Sequence, residues 1–177
     1  MKAFLSWPVL ICVVLLDRVT KMLAESRLPP NGFPEPVIGD ALRFALVYNP
    51  GAAFGLYLGA WSRWIFMALT VGALTILWRL YQQTPLTNRV RALAIALVAA
   101  GAVGNLIDRL RSDLGVVDFI DVGIGVHRWP TFNVADMAVS SGACLLAWVL
   151  WGEERREAAT TATSTSEVTL PGPVDAP

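Results

Sequence analysis

Four long apolar runs constrain this chain more than any other feature of its sequence. They cover residues 3–24, 61–80, 90–108 and 132–151, and a helix needs about 20 residues to cross the hydrocarbon core of a bilayer. The chain is 55% hydrophobic and only 16% charged, a balance typical of membrane proteins and not of soluble domains. The first run resembles a secretory signal, but no small-residue cleavage site follows it, so we interpret it as a retained helix. The sequence therefore predicts an all-α membrane protein with four transmembrane helices.

The connections between these runs differ in length and character. Residues 28–60 and 109–131 form two long connections, and each contains a strand candidate, "ALRFALVYN" in the first and "VVDFIDV" in the second. Only a short link separates the second run from the third. After Gly152 the chain becomes rich in Ala, Thr, Ser and Pro, and it lacks the apolar residues that a packed core needs. We predict a membrane domain at residues 1–152 and a disordered tail at residues 153–177.

Polar groups gather near one end of the predicted bundle. Because successive spans alternate in direction, the ends of spans one and three and the starts of spans two and four share one membrane face. Six polar side chains lie near these ends: Asp17, Lys21, Asn105, Asp108, Asn133 and Asp136. Gly101 and Gly104 would let neighbouring helices approach closely at this level. The sequence predicts one shared polar cleft. Leaving out Arg18 and Lys21 inside span one, Lys and Arg are balanced six against six between the two faces, so charge does not orient the chain.

Carboxylates are the candidate chemical groups of this cleft. Two neighbouring carboxyl groups can share one proton, so that one activates water while the other polarises a carbonyl, without a metal. Asp136 has no basic residue within a helical turn, which favours a functional role. The pattern around Asp118 favours a solvated loop acid over a functional role, and as strand residues Asp118 and Asp121 point to opposite faces. The residue pattern alone does not decide which of these two faces the cleft.

Other carboxylates have simpler structural interpretations. Asp17 can pair with Lys21 or Arg18, and Asp108 can pair with its neighbour Arg109. A single histidine and two cysteines within apolar runs argue against a metal site, and we interpret both cysteines as small buried hydrophobes. The formal net charge of zero gives no indication of a nucleic-acid partner.

Five short blocks, in order along the chain, carry a family resemblance. They are "DRVTK" from residue 17, "NPGAAFG" from residue 49, "GNLIDRL" from residue 104, "GVVDF" from residue 115 and "FNVAD" from residue 132. Each block is short, but five in order on a four-span chain are specific. The chain resembles bacterial lipoprotein signal peptidase, the type II signal peptidase.

The resemblance implies an intramembrane aspartic endopeptidase that cuts lipoprotein precursors just before their diacylglyceryl-modified cysteine. It implies Asp118 and Asp136 as the catalytic pair, without a cofactor, and favours Asp118 over Asp121. It also implies two supporting sets of residues. The substrate-binding set is Asn49, Gly51, Asn105, Arg109 and Asn133, and the set that supports the fold is Asp17, Lys21 and Asp108.

The resemblance further implies a location and partners. The site would lie at the outer face of the bacterial inner membrane, below a small extracytoplasmic β-rich cradle, with both termini in the cytoplasm. Lipidated precursors and membrane lipids would be its partners, and globomycin-type cyclic peptides would occupy the substrate cleft.

Three alternative functions are compatible with the residue pattern. An ion-coupled transporter also buries acids, although its sites usually lie near the membrane midplane. A membrane scaffold would need no carboxylate chemistry at all. A serine–lysine peptidase would use Ser26 and Lys21, which are near each other in sequence.

Overall fold

The computed structural model describes residues 2–30, 32–51 and 56–168, without the side chains of residue 157 and residues 160–168. Its helices are α1 (Lys2–Arg27), α2 (Ser62–Gln83), α3 (Arg89–Arg111) and α4 (Val134–Val168), with a short 3₁₀ helix at Gly59–Trp61 before α2. Its strands are β1 (Glu35–Ile38), β2 (Leu42–Asn49), β3 (Val116–Ile124) and β4 (His127–Arg128). Residues 52–55 of the second motif and residues 169–177 of the tail lie outside the described residues.

The four predicted spans are confirmed. Four helical segments are long and apolar enough to cross a membrane: Lys2–Arg27, Gly59–Gln83, Arg89–Arg111 and Val134–Arg156. Large apolar side chains such as Leu15, Leu69 and Trp148 are exposed on their outer surfaces, as lipid-facing positions require. Cys12 and Cys144 are exposed as well, so the prediction that they are buried was wrong. An apolar run permits burial in protein, but it equally permits contact with lipid.

The chain beyond the last span continues the same helix. The predicted domain boundary at residue 152 falls inside α4, which extends to Val168 in the structure. The assignment of residues 153–177 to a disordered tail, outside the membrane domain, stays a prediction.

Helix α3 is the centre of the bundle, because it packs against α1, α2 and α4. Its buried face is made largely of Ala and Gly, which lets the helix axes come close together. A Cβ atom added at Gly101 would collide with the Ala135 carbonyl of α4, and one added at Gly104 would lie 2.6 Å from the Asp17 carboxylate of α1. Helices α1, α3 and α4 therefore converge at the level of the predicted polar cleft.

A four-stranded antiparallel sheet in the order β1-β2-β3-β4 covers this end of the bundle. Strands β2 and β3 are the two predicted strands, and their pairing with each other was not predicted. Phe44 pairs with Ile120 and Val47 pairs with Asp118, so β2 advances three residues while β3 advances two. The register therefore shifts by one residue between Phe44 and Val47. Such a bulge bends the strand and redirects its side chains.

An apolar cluster fastens the sheet to the helices. Leu46, Val117 and Phe119 of the sheet are buried against Ala24 and Leu28 at the end of α1. Burial of apolar surface is the main stabilising contribution at this contact. Strand β3 is thereby held close to the first turn of α4, and this places Asp118 beside the motif "FNVAD".

Candidate active site

The motif "FNVAD" folds into a reciprocal cap at the start of α4. Asn133 precedes the first helical residue, and its Oδ1 accepts a hydrogen bond from the Asp136 backbone N–H at 2.9 Å. In return, Asp136 Oδ2 accepts one from the Asn133 backbone N–H at 3.1 Å. This is the arrangement of a capping box, in which two otherwise unpaired backbone donors are satisfied. The spacing of Asn and Asp therefore fixes the direction of the Asp136 carboxylate.

Asp118 reaches the same motif from strand β3. Its carboxyl group is 3% exposed, and it accepts hydrogen bonds from Asn133 Nδ2 at 2.7 Å and from Asn49 Nδ2 at 3.1 Å. Burial, together with the nearby negative charge of Asp136, raises the pKa of Asp118 to about 7, although the two amide donors act in the opposite direction. Asp118 is thus suited to hold a proton near neutral pH.

Asp136 is suited to the opposite role. It is only partly buried, and its Oδ1 accepts a hydrogen bond from Asn105 Nδ2 at 2.8 Å. Both of its oxygens accept from neutral N–H donors, as those of Asp118 do, but Asp136 is partly exposed, so water can reach its carboxylate. Asn133 donates to both carboxylates, to Asp118 from its side-chain amide and to Asp136 from its backbone N–H, so one residue joins the predicted pair into one network.

Asp121 belongs to a different environment. It forms ion pairs with Arg43 at 2.7 Å and Arg128 at 2.8 Å, on neighbouring strands of the sheet. Burial alone would raise the pKa of Asp121, but the hydrogen bonds and charges of the two arginines outweigh it and lower that pKa. Strand alternation thus directs Asp118 to the helix caps and Asp121 to the arginines.

The residues around Gly51 form a turn that Arg109 holds in place. Asn49 Oδ1 accepts from the Gly51 N–H at 3.0 Å, and Arg109 Nη2 donates to the Gly51 carbonyl at 2.7 Å. A Cβ atom at Gly51 would collide with the backbone at Leu56, so this position requires glycine. The Asn49 amide also donates to Asp118, so one side chain is hydrogen-bonded both to the turn at Gly51 and to the buried acid.

A buried ionic cluster lies beneath these groups. Lys21 is fully buried and contacts Asp17 Oδ2 at 2.9 Å and Asp108 Oδ2 at 2.7 Å. Asp17 therefore pairs with Lys21, and its Oδ1 accepts from the Ala135 N–H in the first turn of α4. The ion pairs of Asp108 are with Lys21 and Arg18 of α1, instead of with the neighbouring Arg109.

Arg63 supports the site without any local signal in the sequence. Arg63, at the start of α2, donates to the carbonyls of Arg109 and Leu110 at the end of α3. A cation at this position satisfies carbonyls that the helix itself leaves unpaired. No motif or helical spacing marks it, because its partners lie more than forty residues away.

The serine–lysine alternative has no geometric support. Ser26 is exposed on α1 and donates to the Leu23 carbonyl of its own helix, while the Lys21 ammonium already contacts two carboxylates. In the part of the chain that the structure describes, no three His, Cys, Asp or Glu side chains are grouped so that they could hold a metal ion.

Asp17 is expected to contribute to stability more than to turnover. Asp17→Asn removes one of the two carboxylates that contact the buried Lys21 ammonium, and a hydrogen bond to a charged group contributes about 1.5–3 kcal/mol. We expect a lower folded yield and melting temperature, while the protein that remains folded cleaves near the wild-type rate. Thermal unfolding in detergent, with cleavage assays at matched folded concentration, checks this. An unchanged melting temperature with lost turnover would contradict the structural role.

Known proteins are similar to this chain over most of its length. The model of the family described as signal peptidase (SPase) II matches residues 9–152. The lipoprotein signal peptidase of Teredinibacter turnerae is 43% identical over 150 residues, which covers 82% of this chain and 87% of that protein. That of Polynucleobacter necessarius is 39% identical over 149 residues, covering 82% and 86%. A solved structure described as a bacterial membrane enzyme superposes with a TM-score of 0.76 at 32% identity, covering 84% of this chain and 88% of that one.

Proposed function

The chain belongs to the signal peptidase (SPase) II family, and from that premise we propose that Asp118 and Asp136 are its catalytic pair. As a member of this family it is a multi-pass membrane protease of the aspartic type, and it removes signal peptides from lipoprotein precursors. The observation that carries the assignment of the pair is the double contact of Asn133. Its backbone N–H donates to the Asp136 carboxylate and its side-chain amide donates to Asp118, so the two carboxyl groups share one hydrogen-bonded network.

Each acid has a distinct task in the proposed mechanism. Asp136, which is partly exposed and accepts hydrogen bonds on both oxygens, is the ionised member and takes a proton from the attacking water. Asp118, buried and protonated near neutral pH, donates a hydrogen bond to the scissile carbonyl and then its proton to the developing oxyanion. This division is the general logic of two carboxyl groups that share one proton. No metal or organic cofactor takes part in these steps.

The remaining polar residues hold this pair and the substrate. Asn105 and Asn133 direct the two acids, and Asn49 links Asp118 to the turn at Gly51 that Arg109 anchors. We place the substrate-binding function on this set because its backbone and amide groups surround the pair. Asp17, Lys21 and Asp108 support it from below.

The site's depth fits a lipid-modified substrate. Asp136 lies in the first turn of α4, and Asp118 lies in the sheet that covers the same end of the bundle. A diacylglyceryl-modified precursor keeps its acyl chains in the bilayer, so its cleavage site beside the modified cysteine lies near the lipid headgroups. At that depth water is available for hydrolysis, and membrane lipids border the site. Cyclic peptides of the globomycin type would compete for this cleft.

The topology that follows from this proposal is specific. The active site faces the outer side of the bacterial inner membrane, and both termini lie in the cytoplasm. Residues 1–152 form the catalytic domain, and residues 153–177 form a cytoplasmic tail outside the family match.

The decisive experiment incubates the purified protein with a lipidated precursor and with the same precursor lacking the lipid. Release of the signal peptide from the lipidated form alone, unaffected by chelators, supports the proposal. Failure to cleave the lipidated precursor refutes it, and loss of cleavage in chelator that zinc restores refutes the metal-free mechanism.

Cleavage should decline as the pH rises through about 7, because Asp118 must keep its proton to donate it. The same raised pKa predicts the sign of a stability effect. Between the ordinary value of 3.8 and about 7 the folded protein holds a proton that the unfolded chain releases. The stabilisation is therefore complete at low pH and is lost as the pH rises through about 7.

Rates of precursor cleavage and melting temperatures, measured across this pH range, check both effects. Asp118→Asn is the control for stability, since it should remove this part of the pH dependence. A melting temperature that rises through pH 7 in the wild type, or an identical pH profile in the variant, would contradict the assignment.

A further inference from the structure

Lys21 contacts more than the two carboxylates that balance its charge. Its side chain is 0% exposed, and besides Asp17 and Asp108 its ammonium donates to Asn105 Oδ1 at 3.0 Å. The two carboxylates are sufficient to neutralise the positive charge of Lys21, so the contact with Asn105 is not needed for charge balance. The third contact leads from this buried cluster directly to the residue that donates to Asp136.

The ammonium decides which way the Asn105 side chain is turned. An amide side chain presents an acceptor oxygen on one side and a donor NH₂ on the other, whereas a lysine ammonium is only a donor. The oxygen of Asn105 must therefore face Lys21, and its NH₂ group is then left to donate to Asp136 Oδ1 at 2.8 Å. Asn133 Nδ2 favours the same orientation through a longer contact of 3.2 Å to Asn105 Oδ1.

The reversed orientation would be unfavourable on both sides. It would turn the NH₂ group of Asn105 toward the Lys21 ammonium and its oxygen toward the Asp136 carboxylate. Donor would face donor, and acceptor would face acceptor. A hydrogen bond from a charged donor is roughly twice as strong as a neutral one, so Lys21 contributes more to this choice than Asn133 does.

We propose that Lys21 is a positioning residue for signal-peptide cleavage, because it holds the Asn105 amide in the orientation that directs an N–H donor at Asp136. This inference rests on the proposed function of the Asp118–Asp136 pair. It goes beyond structural support, since it makes turnover depend on Lys21 through one identified side chain.

The charged groups around the pair come from three helices and the sheet, and they include Arg18 of α1, which pairs with Asp108. Asp17 and Lys21 lie on α1, Asp108 and Arg109 on α3, Asp118 on β3 and Asp136 on α4. The positive charge of Lys21 acts to lower the pKa of Asp118. Its removal should therefore move the titration of Asp118 to higher pH.

The test is a double-mutant cycle in a background that removes one of the two carboxylates facing Lys21. Lys21→Met alone would leave Asp17 and Asp108 facing each other without a cation. Asp108→Asn is therefore used as the parent protein. When Lys21→Met is added to it, positions 17, 21 and 108 together carry one net negative charge, as they do in the wild type. Lys21→Met, Asn105→Ala and both together are made in this parent, and kcat and KM are measured with a lipidated precursor at matched folded concentration.

We expect Lys21→Met and Asn105→Ala each to lower kcat by about 10²-fold, the effect of a misplaced catalytic group, with little change in KM. The combined variant should be no slower than the slower single variant, because both changes remove the same interaction. Losses that multiply to about 10⁴-fold, or a Lys21→Met variant that keeps the kcat of its parent, overturn the inference.

A second readout is independent of substrate. The pH range over which stability falls, which reports Asp118 titration, should move upward in Lys21→Met relative to the Asp108→Asn parent. An unmoved range also overturns the inference. If the wild type does not cleave a lipidated precursor, the proposed function fails, and this stability comparison still decides whether Lys21 acts on the acid pair.

Discussion

We expect Asp118→Asn and Asp136→Asn each to reduce cleavage of a lipidated precursor by about 10⁴-fold or more, the scale seen when one member of a catalytic unit is removed. Asparagine preserves the size of the side chain but cannot exchange a proton. Without Asp136 no carboxylate takes the proton of the attacking water, and without Asp118 no acid donates to the scissile carbonyl. The double variant should be scarcely slower than either single variant, since the two groups act as one unit.

Asp121→Asn is the matched control for this experiment. It makes the same chemical change on the same strand, but Asp121 faces Arg43 and Arg128 instead of the helix caps. It should weaken the sheet and retain substantial activity when all four variants are compared at matched folded concentration. An inactive Asp121→Asn beside an active Asp118→Asn would show that the pair has been assigned wrongly.

The second large effect is expected at Asn133, which is fully buried and contacts both acids. Asn133→Ala removes the cap of α4, worth about 1 kcal/mol, and also the N–H donor to Asp118. We expect a lower melting temperature together with a loss of cleavage of about 10²-fold or more, because both acids lose their alignment. Thermal unfolding and cleavage rates of the purified variant measure the two effects separately.

Asn133→Ser separates the two tasks of this residue. Serine caps helices well, but its side chain is too short to provide the amide donor that reaches Asp118. Stability should therefore recover toward wild type while cleavage stays as low as in Asn133→Ala. If serine restores cleavage along with stability, Asn133 is only a helix cap, and its role in aligning the acids is wrong.

Much of the architecture was predictable because it depends on short-range patterns. An apolar run of about 20 residues has few alternatives to a membrane helix, since every backbone N–H and C=O must be paired within the bilayer. The spacing of Asp17 and Lys21 by four residues predicts a contact on one helix face, and they form an ion pair. Likewise, Asn133 and Asp136 have the three-residue spacing of a reciprocal cap. The remaining site residues were predicted from motifs that resemble those of the family.

The partners of these residues depend on contacts between distant segments, which no local pattern contains. The alternation of strand β3 requires Asp118 and Asp121 to differ in direction, but only packing of β3 over α1 and α4 decides that Asp118 meets Asn133. The cysteines illustrate the same point, because an apolar neighbourhood in sequence does not distinguish protein from lipid as the surrounding medium.

Asp108 shows most clearly the difference between what a local sequence pattern predicts and what tertiary contacts decide. Its sequence neighbour Arg109 suggested an ion pair, yet adjacent residues on a helix point in different directions. In the fold, Asp108 turns toward Lys21 and Arg18 of α1, while Arg109 anchors the turn at Gly51. The sequence by itself determined that four helices cross the membrane and that polar groups meet at one end. Only the tertiary structure decided which of those groups touch, because helix packing across Gly101 and Gly104 sets the distances between them.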